Sequence, residues 1–174
     1  MVELATALMV IQTISLTIGV IYYIITLQNS NRNQKHQLET RQAQLFMQIF
    51  SHQYNIEQRK SIELIKNMNY ENFDDFEKKY GEKVNPETFI RLSSLGSYYE
   101  GIGVLVKKGL VDPEMVDDLM SGRIIEYWDI IGPWVIETRQ RTGYYEMSEH
   151  LEFLYNKIKM IRNNQRTQSG LPIV

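Results

Sequence analysis

The side chains that could do acid–base, nucleophilic or metal chemistry are few in this sequence. Cysteine is absent, which removes disulfides, thiol catalysis and Cys-ligated zinc or iron–sulfur sites. The three histidines, His36, His52 and His150, are far apart, and none pairs with a second His at the spacing of a zinc-binding helix. Gly96, Gly101 and Gly103 fall inside a predicted helix with no strand before it, so their Gly-x-Gly step lacks the setting of a dinucleotide site. The carboxylate pairs Asp74/Asp75 and Asp117/Asp118 lie near predicted helix ends. They read as solvated surface, and neither sits in a calcium-loop pattern. No catalytic residue, metal or cofactor is expected, and the chain does not read as an enzyme.

Glu100 stands out among the carboxylates. On a helix it shares a face with Gly96 and Gly103, and the missing side chains let a neighbouring helix approach. Glu100 is then partly buried, and a buried carboxylate must be paired or hydrogen-bonded. Arg139, Arg91, Tyr127 and Tyr145 are the candidate partners, with Glu100 and Arg139 expected as a buried polar centre. An internal bond that fixes helix register competes with a ligand-binding or acid–base role. Aromatic residues are dense at Tyr98/Tyr99 and at Tyr127, Trp128 and Trp134 with Tyr144/Tyr145. They read as core with polar tips, or, for Tyr127, Trp128 and Trp134, as a partner-binding surface.

These groups must be positioned by 174 residues, room for about one domain. The 19 Lys+Arg and 21 Asp+Glu give a formal net charge of -2. A sequence-independent nucleic-acid binder would carry a cationic excess, so no nucleic-acid partner is expected. With 43% hydrophobic residues the chain is also too apolar for a disordered acidic protein.

One segment departs from the average. Residues 4–31 carry no charge, and 4–27 are mostly apolar. At the helical rise this stretch covers about 36 Å, enough to cross a hydrocarbon core of about 30 Å. A cleaved signal peptide would want a basic start, a shorter run and a small-residue cleavage site. A buried core helix is rarely apolar all round for so long. The expectation is a transmembrane helix in the lipid bilayer. Arg32, Lys35 and Arg41 follow it and only Glu3 precedes it, which places the C-terminal side in the cytoplasm and residues 1–3 outside.

Within the span, Ala5, Leu8, Gln12, Ser15, Gly19, Tyr22 and Thr26 recur at spacings of three and four and share one face. Ser15 and Gly19 form a small-xxx-small pair, and Gln12 carries an amide that is costly to leave in lipid. This face reads as a helix–helix interface with a membrane protein partner or with the chain itself.

Residues 28–44 are polar and contain no Gly or Pro, so the span is expected to continue as a helical stalk, a flexible linker being the alternative. From Leu45 the helical period is plain through Leu45, Phe46, Ile49, Phe50, Tyr54, Ile62, Ile65 and Met68. Asn72 and Gly81 bracket a short helix. Asn85-Pro86-Glu87 starts a helix that ends at Lys107-Lys108. Asp112-Pro113-Glu114 starts another, expected to stop near Ser121-Gly122. A further helix then carries Ile124 to Arg141, with a kink or break at Pro133. Ser148 is the expected cap of a last helix through Ile161, followed by a disordered tail over 163–174. The fold class is all-α: one membrane helix, then a bundle of five or six helices over 45–162.

Tyr98-Tyr99-Glu100-Gly101-Ile102-Gly103-Val104-Leu105-Val106-Lys107-Lys108-Gly109-Leu110, followed by Trp128 and Pro133, resembles the signature of an uncharacterised prokaryotic family, a domain of unknown function. Its members often carry one N-terminal span and a helical domain, and the resemblance covers about residues 45–160. It implies the architecture and no chemistry. The functional expectation is a membrane-anchored interaction or regulatory module. The alternative is an accessory subunit of a larger membrane complex, or a self-assembling membrane oligomer.

Overall fold

The computed structural model describes residues 2–51 and 56–168, and it is all-helical, with no strand among them. His52 and Tyr54, the side chain of Ala5, Met1 of the expected stub, and tail residues 169–174 lie outside the described residues. The chain divides into two compact units, Met1–Gln44 and Leu45–Val174.

Helix α1, Val2–Ser51, supplies the first unit and opens the second. No Gly or Pro interrupts residues 28–44, so the ladder runs on through the polar stretch, as a continuous helix rather than a linker. Thr13 and Thr17 turn their hydroxyls back onto the carbonyls of Met9 and Thr13, each at 2.8 Å, which satisfies them without a partner outside the helix. Part of α1 is long and apolar enough to cross a membrane by length and composition, and none of its apolar window is buried in the chain.

In the second unit the punctuation read from sequence sets most boundaries. Helix α2 is Ile56–Lys66 and α3 is Phe73–Tyr80. Asn72 caps α3 by accepting from the Asp75 N–H at 3.0 Å. Helix α4, Pro86–Lys107, opens with Pro86 and an Asn85 side chain that accepts from the Thr88 N–H at 3.2 Å.

Helix α5, Pro113–Thr142, is one helix of 30 residues. The expected stop at Ser121-Gly122 does not occur. Val116, Met120, Ile124, Tyr127, Ile131 and Val135 form one buried stripe across it, and that packing outweighs the propensity cost of Gly122. Pro133 does not end the helix either. The Tyr70 hydroxyl donates to the Ile130 carbonyl and also meets the Trp134 backbone N–H. A side chain inserted beside the proline thus engages the ladder groups next to it. Burial pushes the Tyr70 phenol up, partly offset by that backbone contact.

Helix α6, Glu149–Gln168, runs past the expected end at 162. The core forms where α4, α5 and α6 meet. Leu92, Leu95, Tyr99, Ile102 and Val106 face the α5 stripe, and Leu151, Leu154 and Ile158 close it, joined by Phe46, Ile65 and Phe76 from α1, α2 and α3. The α5–α6 turn is made by Gly143 in the left-handed region, φ 74°, where a glycine has no Cβ penalty.

Candidate functional site

Glu100 lies on α4 opposite the first turn of α6. Its carboxylate accepts from the backbone N–H of Leu151 at 2.7 Å and of His150 at 3.2 Å. Nδ1 of His150 lies 2.9 Å from the same carboxylate. The first-turn amides of a helix have no partner within it and carry the positive end of its dipole. Glu100 therefore caps α6 from another helix. Ser148, the expected cap, sits instead at φ 57°, and its side chain makes no hydrogen bond among the described residues.

The approach that makes this possible is read at Gly103. A Cβ there would lie 2.1 Å from the carbonyl oxygen of His150, so α4 and the start of α6 meet at a distance only glycine permits.

Arg139 is not the partner of Glu100. Its Nη1 donates to Glu152 at 2.5 Å and its Nε to the Met147 carbonyl at 2.8 Å. The expected polar centre is thus two separate ties on the same turn: Glu100 holds its amides, and Arg139 holds the loop before it. Arg91 pairs with Glu57 and Glu87 on the opposite side of α4, and Tyr145 is exposed.

The expected partner surface of Tyr127, Trp128 and Trp134 is corrected, because all three rings are buried. The Tyr127 hydroxyl donates to the Leu92 carbonyl at 3.1 Å, in space left by Gly96, where a Cβ would lie 2.6 Å from the Tyr127 hydroxyl oxygen. Trp128 packs 6.0 Å from Tyr155. Trp134 lies 4.9 Å from Phe76 and donates its Nε1–H to Glu77 at 2.8 Å. Each ring has its polar atom or its face taken up inside the bundle, which is what core aromatics require.

Asp117 is a second correction. Asp118 is exposed, but the Asp117 side chain is only 3% exposed and accepts from Nε of Arg162 at 2.7 Å. Ser121 donates to the Asp117 carbonyl at 2.5 Å and accepts from Arg162. The sequence signal for this site was weak, since its cation stands at the residue taken as the end of the bundle.

On α1, Leu8, Gln12, Ser15, Gly19, Tyr22 and Thr26 are exposed, and among the described residues nothing beyond the helix's own backbone lies within 4 Å of a Cβ built at Gly19. No group of three or more His, Cys, Asp or Glu side chains is placed to hold a metal ion among the described residues.

A family model described as a domain of unknown function, DUF4760, matches residues 11–158. The chain belongs to that family. The match takes in most of the apolar segment, the polar stretch and the bundle as far as Ile158 of α6, so Glu100, Gly103, Arg139 and Asp117 all fall within the DUF4760 region. Comparison with curated proteins and with solved structures gave no match.

Proposed function

We propose that this DUF4760 chain is a membrane-anchored interaction or regulatory module, with α1 in the bilayer and the helical bundle in the cytoplasm as its working part. One observation carries the reading. The bundle buries its own core, while the apolar part of α1 is exposed along its length, with Leu4 68% and Leu16 71% exposed. An uncharged apolar surface of that extent needs a cover, and a bilayer is the cover that its length fits. Arg32, Lys35 and Arg41 after the span favour a cytoplasmic bundle.

A second reading is favoured by the face through Gln12, Ser15 and Gly19. It points to assembly in the membrane, as an accessory subunit or with further copies of the chain.

The test uses the full chain in its native membrane. The protein should resist extraction at high pH, and a C-terminal alkaline phosphatase fusion should be inactive while a C-terminal fluorescent fusion is bright. Release at high pH overturns the anchor. The intact mass in mild detergent then separates the two readings. A multiple of 20.5 kDa means self-assembly, and a mass that includes other chains supplies the partner. A bare monomer at native abundance refutes assembly through α1.

A further inference from the structure

The polar groups in the apolar part of α1 fall into two sets. Thr13 and Thr17 return their hydroxyls to carbonyls of their own helix. The side chains of Gln12, Ser15, Tyr22, Tyr23 and Thr26 make no hydrogen bond among the described residues. The two sets occupy different sides of the helix. At about 3.6 residues per turn, the five unengaged side chains lie within an arc of about 100°. Thr13 and Thr17 fall outside that arc, toward the face of Val10, Ile14 and Ile21.

Depth decides which of the five needs a protein partner. Tyr22, Tyr23 and Thr26 lie in the last turns of the apolar run, where phenols and hydroxyls reach headgroups and water. The Ser15 hydroxyl can turn back onto a carbonyl of its own helix, as those of Thr13 and Thr17 do. Gln12 has neither way out. The midpoint of residues 4–27 falls between Ser15 and Leu16, so Gln12 lies about 5 Å along the axis from the bilayer middle. With a hydrocarbon half-layer of about 15 Å, water is beyond the reach of its side chain. Its amide carries two donor hydrogens and an acceptor oxygen, a costly group to leave in lipid.

The amide also selects what covers it. A partner of another kind would need its own polar side chain at this depth. A second copy, inserted in the same direction, carries Gln12 at the same depth by construction. Across a two-fold axis along the membrane normal the two amides face each other, and each donates to the other's carbonyl. The backbone can come close enough. Ser15 and Gly19 lie one turn apart on this side, and among the described residues nothing beyond the helix's own backbone lies within 4 Å of a Cβ built at Gly19. The opposite side, with Val10, Ile14, Ile21 and Ile25, offers lipid only β-branched aliphatic groups.

We infer that α1 pairs in parallel with α1 of a second copy, with the two Gln12 amides hydrogen-bonded across the axis. The pairing rests on α1 lying in the bilayer, as proposed above, and makes a second copy the partner on this face.

Because the chain has no cysteine, a single introduced one reports alone. Full-length Ser15→Cys, Gly19→Cys, Ile14→Cys and Ile21→Cys proteins are oxidised in the native membrane with copper phenanthroline. The first two should form a species of twice the 20.5 kDa chain mass, and the last two should stay single. Adding Gln12→Leu to Ser15→Cys should cut the cross-linked fraction about threefold, and Gln12→Asn, which keeps an amide, should restore part of it.

Equal cross-linking on both faces, none on either, Ser15→Cys joined only to chains of other mass, or an unchanged yield with Gln12→Leu would each overturn the inference. A wash at high pH keeps this failure apart from failure of the anchor. Release of the parent chain refutes the bilayer reading and the pairing with it, whereas a retained chain with any of those four results refutes the pairing alone.

Discussion

Replacing Glu100 tests whether one side chain on α4 holds the start of α6. The carboxylate accepts two backbone N–H groups, at 2.7 and 3.2 Å, and its side chain is 28% exposed. Losing a helix cap costs about 0.5–2 kcal/mol, and a partly buried anion at a helix N-terminus adds about 0.3–1 kcal/mol. Glu100→Ala removes both and strands the amides, so a loss of about 2–3 kcal/mol is expected. For a bundle of this size each kcal/mol moves Tm by about 4 °C, which gives a fall of about 8–12 °C. Glu100→Gln keeps an oxygen for one of the two amides and loses the charge and the second acceptor, so a smaller fall of about 4–8 °C is expected.

The assay is tryptophan fluorescence of the full chain in detergent during heating. Both tryptophans lie in the bundle, and Trp128 packs on Tyr155 of α6, so α1 does not contribute to the signal. A Glu100→Ala protein melting within about 2 °C of the parent would refute the capping argument. So would equal losses for Ala and Gln, because the cap argument separates the oxygen from its charge.

Four further outcomes follow from buried polar groups. The fully buried Tyr99 hydroxyl has no hydrogen-bond partner among the described residues, so Tyr99→Phe should hold or raise stability by up to about 1 kcal/mol, while Tyr127→Phe, which loses the bond to Leu92, should lower it by about 1 kcal/mol in the same melts. Burial pushes both phenols up, so above pH 10 the unfolded chain loses protons that the folded chain keeps. Stability should be flat below pH 10 with respect to these groups and fall above it by about 1.4 kcal/mol per pH unit for each tyrosine, and either Phe variant should shed one share of that slope in denaturant titrations. Arg162→Ala strands Asp117 and should cost about 3 kcal/mol, and adding Asp117→Ala should recover part of it; additive losses in the double-mutant cycle would show that the pair is not coupled. Tyr70→Phe should cost about 1–2 kcal/mol, and Pro133→Ala should be more favourable in that background than in the parent, because it restores a ladder N–H beside the gap.

Local signals were legible in the sequence where the cause is local. Asn72, Asn85-Pro86 and Asp112-Pro113 each start a helix because the cap and the fixed proline φ act within one turn. The uncharged run over 4–31 needed no tertiary information. The exceptions all involve distant partners. Gly122 looked like a stop because the stripe that carries α5 through it is satisfied by α4 and α6. Pro133 looked like a break because the hydroxyl that adjoins it arrives from Tyr70. Asp117 looked solvated because Arg162 is 45 positions away. At Glu100 the glycine spacing revealed a close approach, but not that backbone amides would fill it, since amides leave no mark in a sequence.

The Glu100 cap also bears on the order in which the protein is made. Among the described residues no side chain of helix α6 accepts from its leading amides, so a nascent α6 lacks the side-chain acceptor that Glu100 supplies. The ribosome delivers α4 first, and the acceptor waits on it before the segment it organises has been translated. Until then α4 and α5 lack the helix that packs on both and brings Leu151, Leu154 and Ile158 into their shared core. The last helix synthesised is both lid and starting point for closure. A chain stalled before residue 149 would hold an open, adhesive pair of helices, the state that chaperones and quality-control proteases are best placed to engage.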